Sequence, residues 1–245
     1  MARPVFNLNL FSNVASADPA RCLAGHAGAS FLAAFDPEAS HDLRIRLFCD
    51  PNPHPETLEA WIEAARAPLP GREIEVVETH GLADGYRRSI EMAEGDFACQ
   101  LEHDFVFLPG AIGHRLGALV EGMAAHGIDH LRFNKRWNRA VGYDHFMTPQ
   151  PQVPFPCCRV SGRSNNPHLV DVAHARARTL QFIPPGARKA EGLEGVLDLY
   201  AGGGHVYGAL VHPAAVGHLD GRARRWRDGI RRRLWLARQG RGGDD

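Results

Sequence analysis

Apolar and polar positions along the first half of the chain mark strands and helices by turns. Val5, Phe6, Leu8 and Leu10, spaced by Asn7 and Asn9, read as a first strand whose tip lies near Asn9–Asn13. An Ala-rich helical segment follows from about Asp18 to Phe35, with Asp18-Pro19 as its cap and first position. Leu43 to Asp50 alternates again and ends in an acid before Pro51-Asn52-Pro53 breaks it. His54 to Ala67 then sets Leu58, Trp61 and Ile62 on one face of an amphipathic helix. Glu73–Val77 is a third strand and Leu82–Ala93 a third helix. This order argues for an α/β domain with a largely parallel sheet and helices on its faces. Ligands of such sheets sit beyond the carboxyl ends of the strands, so Asn9, Asp50 and Glu102–Asp104 would share one crevice.

The stretch Ser89–Leu108 is the pivot. Ile90, Met92 and Ala93 end a helix, Gly95-Asp96 turns the chain, and Phe97–Leu101 is an apolar run of strand length. Glu102-His103-Asp104 interrupts the apolar pattern before Phe105–Leu108 resumes it. Carboxylates between two apolar runs are costly unless they meet a cation or stay wet. At a strand tip they can hold a metal and the phosphates it bridges, or form an ordinary acidic turn.

Beyond Pro109-Gly110, Ile112–Ala125 reads as a helix ended by Gly127. His130–Arg139 interleaves basic and amide groups with Leu131, Phe133 and Trp137, as a strand with one polar face would. Arg136 suits a diphosphate, and Asn134 and Trp137 suit sugar hydroxyls and sugar faces, although a solvated edge strand fits too. Tyr143–Pro156 lacks periodicity and reads as a long loop. Ser161–Leu169 is turn-rich and leads to a helix over Val170–Arg178. Glu191–Leu199 opens a short helix with acids in its first turn, which the helix dipole favours. Val206–Val211 is a last strand, followed by His218.

At 245 residues the chain suits one large domain, taken as residues 1–222, with 223–245 as a basic tail. Its zero net charge hides an asymmetry, because nine of the 28 basic residues are arginines from Arg222 onward, against three acids there. Trp226, Ile230, Leu234 and Trp235 share a helical face in that tail, which reads as a membrane-surface helix or as one packing on its own domain. Five cysteines without zinc-like pairs fit reduced thiols. The first residues do not form a signal peptide and no run spans a bilayer, so the expected location is cytoplasmic, with peripheral contact at the inner membrane face if the tail binds lipid.

Ala93-Glu94-Gly95-Asp96-Phe97, the strand after it and Glu102-His103-Asp104 together resemble the helix end, strand and D-x-D-type motif of GT-A glycosyltransferases, especially family-2-like ones. The resemblance implies a metal-dependent, inverting transfer of sugar from a nucleotide-diphosphate sugar to a hydroxyl of a glycan or lipid-linked acceptor, as in polysaccharide biosynthesis. It implies that Asn9, Asp50, Arg87, Glu102, His103 and Asp104 contact the nucleotide sugar, with Asp50 on the base. Asp104 and His218 would hold Mg2+ or Mn2+, and Glu194, 90 residues beyond Asp104, would be the general base, with Glu191 its competitor. Two departures stand out: Glu102 replaces the first Asp of the motif, and Gly85–Ser89 lacks the family's Arg-Asn pair. A nucleotidyltransferase on a similar sheet is the other enzyme class considered, but no Gly-rich basic loop follows the first strand. A non-catalytic sugar-nucleotide-binding module is the third reading. No nucleic-acid partner is expected.

Overall fold

The structure, a computed structural model, describes residues 2–12, 18–50, 55–141, 144, 146–186 and 203–219. Glu191, Glu194 and the basic tail lie outside the described residues. The first four strands are β1 (Val5–Ser12), β2 (Asp42–Cys49), β3 (Ile74–Glu78) and β4 (Phe97–Glu102). They alternate with α1 (Ala24–Phe35), α2 (Leu58–Arg66) and α3 (Leu82–Glu91) as the apolar spacing predicts. After β5 (Phe105–Phe107) come α4 (Leu116–His126), β6 (His130–Arg132), β7 (Met147–Pro149), β8 (Cys157–Val160), β9 (His168–Asp171), α5 (Val172–Arg178), β10 (Gly204–Tyr207) and β11 (Val216–His218).

Nine strands form one sheet in the order β3-β2-β1-β4-β9-β6-β10-β8-β7 among the described residues. β1 runs parallel to β2 and β4, β2 to β3, and β6 to β10, whereas β9 and β8 run against their neighbours. The sheet is thus mostly parallel, as expected, with a reversed strand inserted beside β4. β5 and β11 pair separately as a two-stranded ribbon.

Several sequence expectations are corrected. β1 continues through Ser12 because Phe11 and Ser12 still pair with Phe48 and Cys49, so Asn9 is a fully buried mid-strand residue rather than a tip. β9 occupies the start of the expected Val170–Arg178 helix, since Val170 completes the pairing with Ala98 and Asp171 then caps α5 through the His174 N–H. β7 lies inside the expected Tyr143–Pro156 loop, and the strand expected over His130–Arg139 stops at Arg132.

The two faces of β1 differ. Phe6, Leu8 and Leu10 belong to the main core with Phe31 and Phe35 of α1, where Phe35 lies 4.8 Å from Phe107 and 5.4 Å from Phe133 between ring centres. Each such edge contact adds about 1 kcal/mol beyond burial. Asn7, on the opposite face, accepts from Arg46 Nη1 at 2.9 Å and from the Glu94 backbone N–H at 3.1 Å. Buried Arg46 in turn donates to Glu94 at 2.8 Å and Glu75 at 2.7 Å. Glu94 therefore fastens the Ala93–Phe97 turn to the sheet and sets where β4 begins.

Gly95 completes that turn. Its φ is +79°, and an added Cβ would meet the Val5 carbonyl oxygen at 2.3 Å. Gly95→Ala is expected to cost about 2 kcal/mol or more, from the left-handed backbone and the clash together. A urea midpoint unchanged from the parent protein would contradict this.

The α3 face also carries buried histidines. His168 Nδ1 lies 2.8 Å from the Asn166 carbonyl and therefore bears the proton, so Nε2 accepts from the Tyr86 hydroxyl at 3.2 Å. Burial, above all, lowers the His168 pKa from 6.5 to about 4, with Arg163 and Arg132 adding to the fall and the Asn166 contact opposing it. Burial likewise lowers that of His130, whose ring stacks on His168 at 4.4 Å. The unfolded chain thus binds protons that the folded one refuses, so stability is full above pH 6.5 and falls toward pH 4. His168 alone accounts for a loss on the order of 3 kcal/mol. Urea unfolding of the parent protein and of His168→Gln at pH 7 and pH 4.5 checks this: the variant should lose less on acidification, and equal losses would contradict the assignment.

Candidate functional site

Parallel strands point their carboxyl ends one way, so β2, β1, β4 and β6 all deliver side chains to one edge of the sheet. β4 brings Glu102 there, opposite Phe11 of β1, and the chain turns through His103 and Asp104 before entering β5. His103 is anchored to the end of β1 by two contacts with the Phe11 carbonyl, its backbone N–H at 2.8 Å and its ring Nδ1 at 3.1 Å.

The β5–β11 ribbon completes the turn. Its register sets His218 against Phe105, and the Leu219 N–H donates to the Asp104 carbonyl at 2.6 Å. His218 Nε2 consequently lies 3.0 Å from Asp104 Oδ2, although 114 residues separate the two. Burial alone would raise the Asp104 pKa, but the hydrogen bond from His218 and the charges of His103 and His218 outweigh it and hold the carboxyl below its ordinary value. Its other oxygen, Oδ1, is buried with no hydrogen-bond partner among the described residues.

That orphaned oxygen tests the expected metal. A hard divalent cation takes carboxylate oxygen and tolerates imidazole, and it keeps water or phosphate oxygens in its other positions. An ionised, partly enclosed carboxylate beside a histidine fits such a cation. No group of three or more His, Cys, Asp or Glu that could hold a metal occurs among the described residues, so donor phosphates and water would supply the rest of the shell.

Asp50 stands just beyond β2, its N–H donating to the Ser12 carbonyl at 3.2 Å. Burial pushes its carboxyl up; the Gly81 N–H that it accepts pulls it back, Asp84 adds to the rise, and His103 and His80 oppose it. Asp50 and His103 are therefore electrostatic neighbours, which unites the β2 tip with the β4 turn. Asp84, in the first turn of α3, accepts from the His80 N–H at 3.0 Å and the Gly186 N–H at 2.9 Å. Sequence reasoning missed His80 and Asp84, for which Gly81 at a helix start and an acid in its first turn were the available signals.

Two expected contacts are not brought to this edge. Asn9 lies inside the sheet. The Arg87 guanidinium is engaged by the carbonyls of Leu180 at 3.0 Å and Ile183 at 2.6 Å and by Glu91 at 2.8 Å, so it ties α3 to the segment after α5.

Asn134 and Arg136 line a cleft of about 350 Å³ just past β6. Buried Asn138 holds the segment in place behind it, since Asn134 donates to the Asn138 side chain at 2.8 Å while Asn138 donates to the carbonyls of Tyr207, Gly208 and Ala209. Lys135 connects the cleft to the acidic turn: its Nζ sits 5.4 Å above the Phe105 ring, which is 4.4 Å from the His218 ring.

No protein-family model and no curated protein matches the chain. Solved structures do. The crystal structure of S. aureus TarS 1–349 matches with a TM-score of 0.54 and 14% identity, covering 96% of this chain and 64% of that one. TarS 1–349 in complex with UDP-GlcNAc matches at 0.54 and 16%, covering 86% and 57%. GalNAc-T7 with UDP, GalNAc and Mn2+ matches at 0.55 and 11%, covering 88% and 44%. The chain thus spans less than two thirds of the length of each of these proteins. It has the GT-A fold.

Proposed function

We propose that the protein is a nucleotide-sugar-dependent glycosyltransferase that uses Mg2+ or Mn2+ and inverts the configuration of the transferred sugar. The observation that carries this reading is the Asp104–His218 pair, 3.0 Å apart with one carboxylate oxygen unpartnered among the described residues, on the sheet edge shared with Asp50. The UDP-GlcNAc bound to TarS and the UDP, GalNAc and Mn2+ bound to GalNAc-T7 support it, since both proteins share this fold.

Asp50 accepts from the nucleoside base, and Glu102 and His103 flank the base or ribose. Asp104 and His218 hold the cation, and Asn134 and Arg136 contact the diphosphate or the acceptor. Bound there, a divalent cation neutralises charge on the departing diphosphate. Glu194 is the proposed general base: its carboxylate takes the acceptor hydroxyl's proton as that oxygen attacks the anomeric carbon. Direct displacement of this kind inverts the centre.

Purified protein incubated with UDP, GDP, CDP and dTDP sugars and Mn2+ tests the reading. Slow release of a nucleoside diphosphate that stops with EDTA is the expected result. Release of pyrophosphate, or no product from any donor, contradicts it. No helix among the described residues is long and apolar enough to cross a membrane. Peripheral contact through the basic tail is part of the proposal: flotation with anionic vesicles should be lost when residues 223–245 are removed, and equal flotation without them contradicts it.

A further inference from the structure

The strand order of the sheet lays out the site in one direction. Asp50 follows β2, the Asp104–His218 pair follows β4, and the Asn134–Val141 segment follows β6, on the far side of β9. If nucleoside and diphosphate occupy the first two stations, the third falls beyond the sugar, where an acceptor enters. The cleft at that station has an unusual charge. Arg132, Lys135, Arg136 and Arg139 line it with Asp144 as the one acid among the described residues, and Asp144 is already paired with Arg132. Lys135, Arg136 and Arg139 are exposed and have no carboxylate partner among the described residues. Trp137 lines the same cleft, and 54% of it is exposed.

We infer that the acceptor is an anionic glycan, one that carries phosphate or carboxylate groups. This rests on the glycosyltransferase reading and adds the acceptor's chemical class. Three exposed cations around one cleft, none paired with a carboxylate among the described residues, draw an anion to it, and two of them are arginines, whose planar fork matches the paired oxygens of phosphate or carboxylate. Trp137 supplies an apolar plate for a sugar ring between those charges. A cleft of about 350 Å³ is of the size that holds small ligands, so it admits one or two units of a chain rather than a folded partner.

Calorimetric titration of the 245-residue chain with three oligomers of matched length tests this: a glycerol-phosphate oligomer, a hexuronic acid oligomer and a neutral hexose oligomer. At least one anionic oligomer should bind at least about tenfold more tightly than the neutral one, and its affinity should fall about tenfold or more at 0.5 M NaCl. Which of the two binds identifies the anionic group. Arg136→Ala/Arg139→Ala, both on the surface, should weaken that binding at least about tenfold. Equal binding of the neutral oligomer, salt-insensitive binding, an unaffected double variant, or tighter binding of a single-stranded oligonucleotide would each overturn the inference. Sugar-nucleotide hydrolysis by the same preparation reports separately on the underlying reading. Hydrolysis without selectivity for anionic oligomers overturns the acceptor assignment alone, whereas no hydrolysis overturns the transferase reading beneath it.

Discussion

Asp104→Ala should reduce sugar-nucleotide turnover by about a thousandfold, near 4 kcal/mol of transition-state stabilisation. The carboxylate is the one group at the β4 turn that is ionised, half enclosed and left with an oxygen unpartnered among the described residues. Removing it also takes from His218 Nε2 the carboxylate 3.0 Å away. Donor affinity should lose its dependence on Mn2+, so that binding with and without EDTA becomes equal. Asp104→Asn separates charge from shape, because the amide keeps the volume and can still accept from His218 but binds a cation poorly. If the alanine variant retained metal-dependent donor binding, the cation would have to sit elsewhere.

The second large effect is expected at Glu194. Glu194→Gln should keep donor binding within about twofold of the parent value and lose between a hundredfold and ten-thousandfold in transfer, the range for removing a positioned base. Slow hydrolysis of the donor by water should fall much less than transfer to an acceptor hydroxyl. Full transfer activity in this variant would move the base to another carboxylate, with Glu191→Gln the next test.

Much of the first half of the fold is legible in the sequence because its elements are local. The alternation from Leu43 to Asp50 and the apolar run Phe97–Leu101 identify β2 and β4 without knowledge of their partners. Asp50 and Asp104 then fall just past the carboxyl ends of β2 and β4, while the roles expected of them come from the resemblance to GT-A glycosyltransferases. The pairing of Asp104 with His218 is different. It depends on two three-residue strands whose register no periodicity reveals, and with fourteen histidines His218 was singled out by the family resemblance rather than by any local pattern.

The misreadings share a cause. β9 is four residues long, and His168-Leu169-Val170-Asp171 runs straight into α5, so its apolar pattern blends with that of the helix. Only the unpaired flanks of β4 and β6 in three dimensions demand a strand there. Asn9 looked like the polar tip of a strand because buried amides are uncommon inside a sheet, yet Asn7 on the same strand is buried too. Asn7 is tolerated through Arg46 and Glu94, a contact over 87 residues that sequence spacing does not encode. The basic segment after β6 read as an extended strand for the opposite reason. It has alternation, but Asn138 folds it back onto the Tyr207–Ala209 carbonyls and turns its cations outward. Arg87 was placed by motif position, whereas its side chain is spent on joining α3 to the Leu180–Ile183 turn.

The most direct test of the account is a crystal of the protein grown with Mn2+ and a UDP sugar, with anomalous data collected at the manganese edge. A single strong peak within ligating distance of an Asp104 carboxylate oxygen and His218 Nε2, bridging to the diphosphate with the uracil near Asp50, is the result expected. Donor bound with no manganese at that pair, or manganese bound at a different surface of the sheet, would contradict it.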